Sequence, residues 1–303
     1  MWTERVLASS AGIDPKRGGG MVLQMVSLLA MWQGDLNIAI KTAKESLALW
    51  QRLEDEQNIP WAMMGTGVVL INMGKDSEAH PLLKEAQALF KEMGLPYMQA
   101  ITLVHLGNVA LGLGNSDEAN QWHQMAYRLF REIGEEWGLS FVLNNLGEVS
   151  RVRGDYDQAG KYYEESEALL SMTGAKGDQA RLVHTLGYIA LHQNDFEKAE
   201  AQFRESLAMF RKLGNRRGIA ECIAGLASLR TRQGKPREAA QMLSAADVLL
   251  RDSGAAWWPA DRVEVEQTQT ILQAALSQHD FTTAWDQGQK MTLDQAIAFV
   301  SNV

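Results

Sequence analysis

Histidine and cysteine side chains are the first candidates for chemistry in this 303-residue chain, which has six histidines and one cysteine. His184 and His192 are eight residues apart, which puts them on one face of a helix but about 12 Å from each other at the α-helical rise. One metal ion cannot bridge that distance. Cys222 has no histidine within one helical turn, so neither a nucleophilic pair nor a zinc site is predicted. We expect no metal, no cofactor and no enzymatic activity.

The composition argues against several classes of protein. Hydrophobic residues make up 46% and charged residues 22% of the chain, which is typical of a folded domain. A formal charge of −8 disfavours binding to nucleic acid or to anionic membranes. The longest apolar stretch, residues 21–32, is too short to span a bilayer. The single cysteine and an N-terminus without a signal peptide favour a cytoplasmic location.

An internal repeat of 40 residues organises these side chains. Its clearest column is a turn residue, glycine or asparagine, followed five residues later by alanine; the turn residues are Gly34, Gly74, Gly114, Gly154, Asn194 and Gly234. Seven residues before each turn stands a small residue: Ser27, Gly67, Gly107, Gly147, Gly187 or Ala227. Several columns in phase over six units identify a repeat architecture.

Each unit reads as helix A, a tight turn, helix B and a glycine-containing loop. Apolar residues between the columns fall at helical spacing, small residues let paired helices approach closely, and Asp35, Asp155 and Asp195 after the turns are expected N-caps. We predict an all-α superhelical solenoid of about seven helix-turn-helix repeats.

The predicted division of the chain has three parts. Residues 1–19 are interpreted as the remnant of a preceding repeat followed by a loose linker through Gly18 and Gly19, residues 20–290 as the repeat array, and residues 291–303 as a C-terminal capping helix. Turns are expected near residues 34, 74, 114, 154, 194, 234 and 279, the last within a degenerate seventh unit.

These columns resemble the tetratricopeptide repeat (TPR) consensus, as in Leu146-Gly147, Gly154-Asp155-Tyr156 and Ala159 with Tyr163. The 40-residue step, residues 214–220 and residues 281–296 are similar to the C-terminal TPR sensor region of MalT/LuxR-type regulators built on signal-transduction (STAND) ATPases. The resemblance implies a region that senses an effector or a partner protein. It also implies an ATPase upstream and often a DNA-binding domain downstream, but the chain has no Gly-x4-Gly-Lys-Ser/Thr loop. We expect either a fragment of such a regulator or a freestanding sensor.

The resemblance places one stripe of helix A residues on a concave groove. In the third to fifth units this stripe and its neighbours carry polar and aromatic groups, which together are expected to bind a ligand; the candidates are Asn108, Asn144, Glu148, Arg151, His184, Tyr188 and His192. Glu148 and Arg151 are expected to pair when the groove is empty, and Arg151 and Tyr188 to anchor a ligand without large effects on stability. The alternative is a solvated concave face without a ligand of its own.

The predicted function is that of a non-catalytic binding module, a sensor or scaffold for a peptide, a protein or a small effector, in bacterial transcriptional or signalling regulation. Direct contact with nucleic acid or membrane is not expected. The alternative is a structural protein that acts by homo-oligomerisation, because the A helix near Met21, Met25 and Leu29 lacks an upstream neighbour and offers an apolar edge for self-association.

Overall fold

The computed structural model describes residues 15–170 and 175–302, which form helices joined by turns, with no β-strand among them. Contacts divide the chain into two compact units, with the boundary between Gly134 and Glu135. The described helices of the first unit are α1 (Pro15–Gln33), α2 (Leu36–Arg52), α3 (Ile59–Asn72), α4 (Asp76–Glu92), α5 (Pro96–Gly112) and α6 (Ser116–Ile133). Those of the second are α7 (Glu136–Val152), α8 (Tyr156–Leu170), α9 (Lys176–His192), α10 (Phe196–Leu213), α11 (Arg216–Arg232), α12 (Pro236–Asp252), α13 (Pro259–Ala275), α14 (Gln278–Gln289) and α15 (Leu293–Asn302).

The predicted all-α, TPR-like fold is confirmed. Consecutive helices pack as hairpins from α1 with α2 to α11 with α12, so that odd-numbered helices are the A helices and even-numbered ones the B helices of each repeat. Within the described residues, no helix is both long enough and apolar enough to cross a membrane.

The turn inside each hairpin has the same backbone geometry. Gly154 has φ of 76° and Asn194 has φ of 61°, the left-handed region that these two residue types tolerate best. The next amide then donates to the carbonyl five residues earlier, as from Asp155 to Ser150 at 2.9 Å, which satisfies a carbonyl at the end of helix A. The sequence predicted these turns because the geometry needs only local chemistry.

The expected N-caps are confirmed. The Asp35, Asp155 and Asp195 carboxylates accept hydrogen bonds from backbone amides three residues later, at 3.1, 3.0 and 3.1 Å. Each bond satisfies one of the amides that the first turn of a helix leaves without an intrahelical partner. The B helices α2, α8 and α10 therefore begin where the sequence places them.

The small residue on each A helix seats a large side chain of the following B helix. A Cβ added to Gly67 would lie 2.7 Å from Leu83, and one added to Gly187 would lie 2.7 Å from Phe203. His123 fills the same position in the third repeat, where burial lowers its pKa to about 3 and it packs as a neutral ring. At Gly67, Gly107 and Gly187 glycine is needed because the B helix side chain occupies the space of a Cβ.

A serine on three of the B helices ties each hairpin together. Ser46, Ser166 and Ser206 are buried, and each donates to the backbone carbonyl 26 residues earlier on the preceding A helix, at 2.9, 2.8 and 2.6 Å. Each hydroxyl donates its hydrogen to a backbone carbonyl, so the two helices can approach closely at a polar residue.

The predicted loose linker before residue 20 is wrong, because α1 already begins at Pro15 and includes Gly18 and Gly20. Gly20 lies against the fully buried Trp50 ring, and an added Cβ there would come within 2.5 Å of it. Glycine here makes room for an aromatic side chain. The predicted repeat remnant at residues 2–8 lies outside the described residues. The array from 20 to 290 and the cap after it stay predictions.

The last helices depart from the hairpin pattern. Helix α14 packs closely on α12, as an A helix packs on the preceding B helix, whereas α13 hardly touches α14 and instead packs on α7, α11 and α12. Helix α13 thus leaves the row of hairpins and lies across the A helices of its own unit. The sequence predicts a seventh repeat here, but its first helix does not take the repeat position.

Two glycines of α3 provide a test of close packing. We expect Gly67→Ala to destabilise the protein by about 1–3 kcal/mol, because the added methyl overlaps Leu83. Gly65→Ala, two residues earlier, should stabilise it by roughly 0.5–1 kcal/mol, because nothing lies within 4 Å of that position and alanine favours the helix. Urea unfolding of both variants measures the difference; equal midpoints would contradict this packing.

Candidate functional site

Helix α13 covers one face of the A helices α7, α9 and α11, which we call the A-helix face. Pro259 stands in the first turn of α13, where its missing amide hydrogen is harmless. Residues that recur every three or four positions point inward and are buried: Ala260, Asp261, Glu264, Val265, Thr268 and Leu272. Half of this buried stripe is polar, which is unusual for a helix packed into a repeat protein.

Arg151 lies at the centre of the A-helix face, with a side chain that is 1% exposed. Its guanidinium donates to Glu148 Oε1 on α7 at 3.2 Å and to Asp261 Oδ1 on α13 at 3.1 Å. The guanidinium carbon lies 4.3 Å from the centre of the Tyr188 ring on α9, a cation–π contact. Arg151 therefore links three helices that are far apart in sequence.

Arg181 on α9 makes a second set of contacts. It donates to Glu148 Oε2 at 3.2 Å and to Glu221 Oε2 on α11 at 3.0 Å, and its Nη1 is 3.4 Å from Asp261 Oδ2. With 17% of its side chain exposed, Arg181 reaches the edge of the buried region. One guanidinium thus connects carboxylates from α7, α11 and α13.

The N-terminal end of α13 is held by an aromatic contact. Arg217 of α11 donates to Glu221 Oε1 at 2.9 Å, and its guanidinium lies 4.3 Å from the centre of the Trp258 ring. The Arg181 guanidinium lies 5.0 Å from the same ring. Trp258, the N-cap residue of α13, therefore packs against two arginines.

Both histidines of α9 face acidic residues of α13. His192 Nε2 lies 3.0 Å from Glu264 Oε1, and the His192 ring stacks on Tyr156 with 3.5 Å between ring centres. The Tyr156 hydroxyl donates to Glu264 Oε1 at 3.3 Å. His184 Nε2 lies 3.4 Å from Asp261 Oδ2. Each carboxylate of α13 thus meets several partners.

Ion pairing has a larger effect than burial on the pKa values of Asp261 and Arg151. Burial by itself acts to raise the pKa of Asp261, but Arg181, His184 and Arg151 hold that pKa well below its usual value. Burial likewise acts to lower the pKa of Arg151, and the carboxylates of Glu148, Asp261 and Glu264 raise it instead. Both groups are therefore ionised at neutral pH. We call the seven charged residues the ionic cluster: Glu148, Arg151, Arg181, Arg217, Glu221, Asp261 and Glu264.

Some polar atoms in the cluster and beside it are not satisfied. Among the described residues, the Tyr188 hydroxyl, Arg151 Nε and Asp261 Oδ2 are buried without a hydrogen-bond partner, although Asp261 Oδ2 has the ion contacts given above. The Tyr188 pKa is raised, first by burial and then by nearby carboxylates, so its hydroxyl stays protonated. The site therefore has hydrogen-bonding capacity that α13 does not use.

The structure brings five of the predicted ligand-binding residues together: Glu148, Arg151, His184, Tyr188 and His192. Glu148 and Arg151 do pair. The five do not line an open groove, however, because α13 covers them and all but His192 are buried. Because Arg151 and Tyr188 are buried, their substitution is expected to affect stability as well as binding.

The other two candidates lie apart from this group. Asn144 is half-buried on α7, one helical turn before Glu148. Asn108 is buried on α5, which belongs to the first unit. Their roles in ligand binding stay predictions.

Five residues of the cluster were not predicted from the sequence: Arg181, Arg217, Glu221, Asp261 and Glu264. For two of them, Arg181 and Glu221, the repeat nevertheless carries a signal. The column that contains Arg181 and Glu221 has apolar residues in the four earlier repeats: Met21, Trp61, Ile101 and Phe141. The switch to two opposite charges forty residues apart matches the ion pair that they form at 3.0 Å. Arg151 similarly interrupts a column with Met31, Ile71, Leu111 and Leu191. Asp261 and Glu264 lie in repeat columns as well, forty residues after Glu221 and Ala224, but α13 does not take the repeat position, so the columns do not indicate which side chains they meet.

Two other features of the sequence, a group of basic residues and the possible metal ligands, do not form a separate site in the described structure. Three of the basic residues that cluster near the junction of the fifth and sixth repeats are ion-paired, Arg217 with Glu221, Arg230 with Glu200 and Arg237 with Asp280. In the described part of the chain, no group of three or more His, Cys, Asp or Glu side chains is arranged to hold a metal ion.

Comparison with protein families finds one match, to the model described as MalT-like TPR region, over residues 97–295. This range includes all of the ionic cluster. No curated protein matches the chain.

Solved structures with a similar fold include two Rap proteins. One is a Rap protein complexed with competence and sporulation factor, with a TM-score of 0.64, 12% identity, and 90% of this chain and 79% of that chain covered. The other is the Rap conjugation gene regulator of plasmid pLS20 in complex with the Phr* peptide, with a TM-score of 0.62, 14% identity, and 89% and 81% covered.

A third similar structure is a signal transduction ATPase with numerous domains, which carries a tetratricopeptide repeat sensor, from Pyrococcus horikoshii. The TM-score is 0.56 at 14% identity, and the match covers 99% of this chain and 45% of that one. At these identities the three structures show the fold alone.

Removal of one member of the ionic cluster should be costly. We expect Arg151→Ala to destabilise the protein by about 3–5 kcal/mol, because Asp261 and Glu148 would each remain buried with one cationic partner fewer. Arg237→Ala is the control, since its pair with Asp280 is exposed and should contribute less than about 1 kcal/mol. Guanidinium unfolding compares the two; similar losses would show that burial of the cluster is not what matters.

Proposed function

We propose that this chain, which belongs to the family of MalT-like TPR regions, is a non-catalytic module that recognises a protein or peptide in transcriptional or signalling regulation. The A-helix face of residues 135–303 is the recognition surface in this proposal. A cytoplasmic location agrees with the single, buried Cys222.

The ionic cluster is the observation that carries this proposal. A repeat protein needs apolar columns to hold its helices together, and Arg151, Arg181 and Glu221 interrupt those columns. Arginine, tryptophan and tyrosine are the side chains that most often anchor protein interfaces; the face holds arginine and tyrosine, and Trp258 of α13 packs against two of its arginines. A role in recognition explains why charged groups occupy positions that packing alone would fill with leucine or valine.

A peptide or protein segment fits the site better than a small effector does. The contacts run from Trp258 to Thr268 across α7, α9 and α11, which is the length of an extended or helical segment. One similar structure, a Rap conjugation gene regulator, is in complex with a peptide, which supports this class of ligand. A small effector would need to engage only part of the face.

A displayed-peptide library selected on the whole chain tests the proposal. We expect Arg181→Gln to weaken binding of the selected peptides by about tenfold or more, because Arg181 is the cluster arginine that reaches solvent and contacts three carboxylates. Calorimetric titration of wild type and variant measures the change. Arg237→Gln, outside the face, should leave affinity unchanged. Recovery of no peptide, or equal binding to the Arg181→Gln variant, would contradict the proposal.

A second candidate function, self-association, is favoured by the first helix. Leu29 on α1 is 48% exposed, whereas its counterparts Val69 and Val109 in the next two repeats are 2% and 0% exposed. Met21 and Met25 are exposed on the same helix. We propose that a second copy of the chain can cover this edge, which would bury side chains that the repeat normally buries against a preceding B helix.

Sedimentation over a range of concentrations tests self-association. If the edge mediates it, wild type should associate as concentration rises, and Met25→Asp/Leu29→Asp should remain monomeric because the charges would be buried at the contact. Leu113→Asp, at another exposed apolar position, is the control and should behave like wild type. A monomeric wild type at all concentrations would exclude this function.

A further inference from the structure

Helix α13 has few contacts with the next helix, α14, and is joined to its neighbours in the chain by extended backbone. Helix α14 packs directly on α12, so that the row of helices continues without α13. Extended backbone stands at both ends of α13, at Trp258 (ψ 146°) and at Leu276 and Ser277 (ψ 149° and 154°). Rotation at these residues would move α13 while α14 stays packed on α12.

Half of the buried residues that hold α13 are polar. Asp261, Glu264 and Thr268 each bind side chains of the A helices, the last through a 2.8 Å hydrogen bond to Ser228. Buried ion pairs of this kind are strongly selective but add little net stability compared with apolar packing of the same volume. Another segment with the same groups in the same places would therefore satisfy the face equally well.

The face is also incompletely used by α13. The Tyr188 hydroxyl and Arg151 Nε are donors that are buried without an acceptor in the described structure. Both lie beside the Asp261 position, since Arg151 contacts Asp261 and Tyr188 at once. A segment with one more acceptor here would bind more tightly than α13.

We propose that α13 is a built-in occupant of the A-helix face, and that the partner of this chain is an acidic helical segment of another protein that displaces it. The inference rests on the proposed function and specifies its ligand. The segment carries an aromatic residue followed three and six residues later by carboxylates and ten residues later by a small hydroxyl side chain, as Trp258, Asp261, Glu264 and Thr268 do. Displacement of α13 is the event that would report the partner to the rest of a regulator.

A competing segment on the same chain has a defined effect on affinity. A tethered helix is present at an effective concentration of about millimolar, and it reduces the apparent affinity of a partner in proportion to the fraction of molecules in which the face is free. Substitutions that weaken α13 should therefore strengthen binding of a segment added in trans, which is the opposite of what an ordinary structural substitution does.

The probe is a fluorescein-labelled peptide of residues 257–275, followed by fluorescence anisotropy with the whole chain. We expect Asp261→Ala/Glu264→Ala to bind the peptide about tenfold or more tightly than wild type, because its own α13 has lost both carboxylates. Arg262→Ala/Glu266→Ala is the matched control on the exposed side of the same helix, at 48% and 69% side-chain exposure, and should bind as wild type does. A peptide that carries the two alanines should bind none of the proteins.

A disulfide that can be reduced again distinguishes displacement of α13 from other effects of the substitutions on peptide binding. Ser228→Cys/Thr268→Cys, introduced into the Asp261→Ala/Glu264→Ala background, replaces two hydroxyls 2.8 Å apart and should form a disulfide between α11 and α13. The native Cys222 is buried, and burial raises its thiol pKa, so it will not compete. We expect peptide binding to be lost in the oxidised protein and restored by reduction. Binding that is the same in both states would overturn the proposal.

Hydrogen exchange of the wild type keeps the proposal testable if the variants do not fold. Amides of α13 should exchange faster than those of α12 and α14 on either side, because α13 opens locally. Protection of α13 equal to that of α12 would show a fixed structural helix and overturn the inference. Library peptides that depend on Arg181 would still support the proposed function in that case, so the two can fail separately.

Discussion

The arrangement of the ionic cluster depends on one buried carboxylate, that of Asp261 on α13. Withdrawn from water, this group stays ionised only among positive partners, and the structure supplies Arg151 at 3.1 Å and Arg181 at 3.4 Å. Those arginines come from α7 and α9, two successive A helices. Because all three charges must meet at once, Asp261 sets the position of α13 along the face.

Close packing within the hairpins offsets the energetic cost of such a polar face. Glycine and serine columns let each A helix and its B helix approach closely, and large side chains such as Tyr163 and Phe203 fill the space at that contact. The apolar packing that stabilises the repeats thus lies between A and B helices. The A-helix face, which does not form the contact with the B helices, can then carry charged residues, and recognition can evolve there without loss of the core.

The two surfaces proposed here differ in chemistry and therefore in selectivity. The ionic cluster accepts only a segment whose charges and hydrogen-bonding groups match, since any unmatched buried charge is costly. The edge of α1 around Leu29 is apolar and needs only shape and hydrophobicity. A regulator can use the first surface for a specific signal and the second for assembly, because contacts at one make no chemical demand on the other.

The sequence by itself determined the repeat, the turns and the helix caps. Gly154, Asn194 and Asp155 act through backbone conformation and through hydrogen bonds within a few residues, so their roles can be read locally. The same holds for the glycine at 67, whose column reveals a close approach of helices. Even part of the site was readable, because Arg151 and Glu148 are three residues apart on one helix.

Only the tertiary structure decided what covers those residues. Arg151 and Asp261 are 110 positions apart, and Glu264 meets His192 across 72, distances at which no periodicity relates one residue to the other. The pattern predicted α13 as one more repeat helix and Gly20 as part of a linker, because local propensity does not register a buried tryptophan or a distant arginine. Pairing of buried charges depends on the three-dimensional structure. Here it places α13 over the residues that were expected to line an open groove.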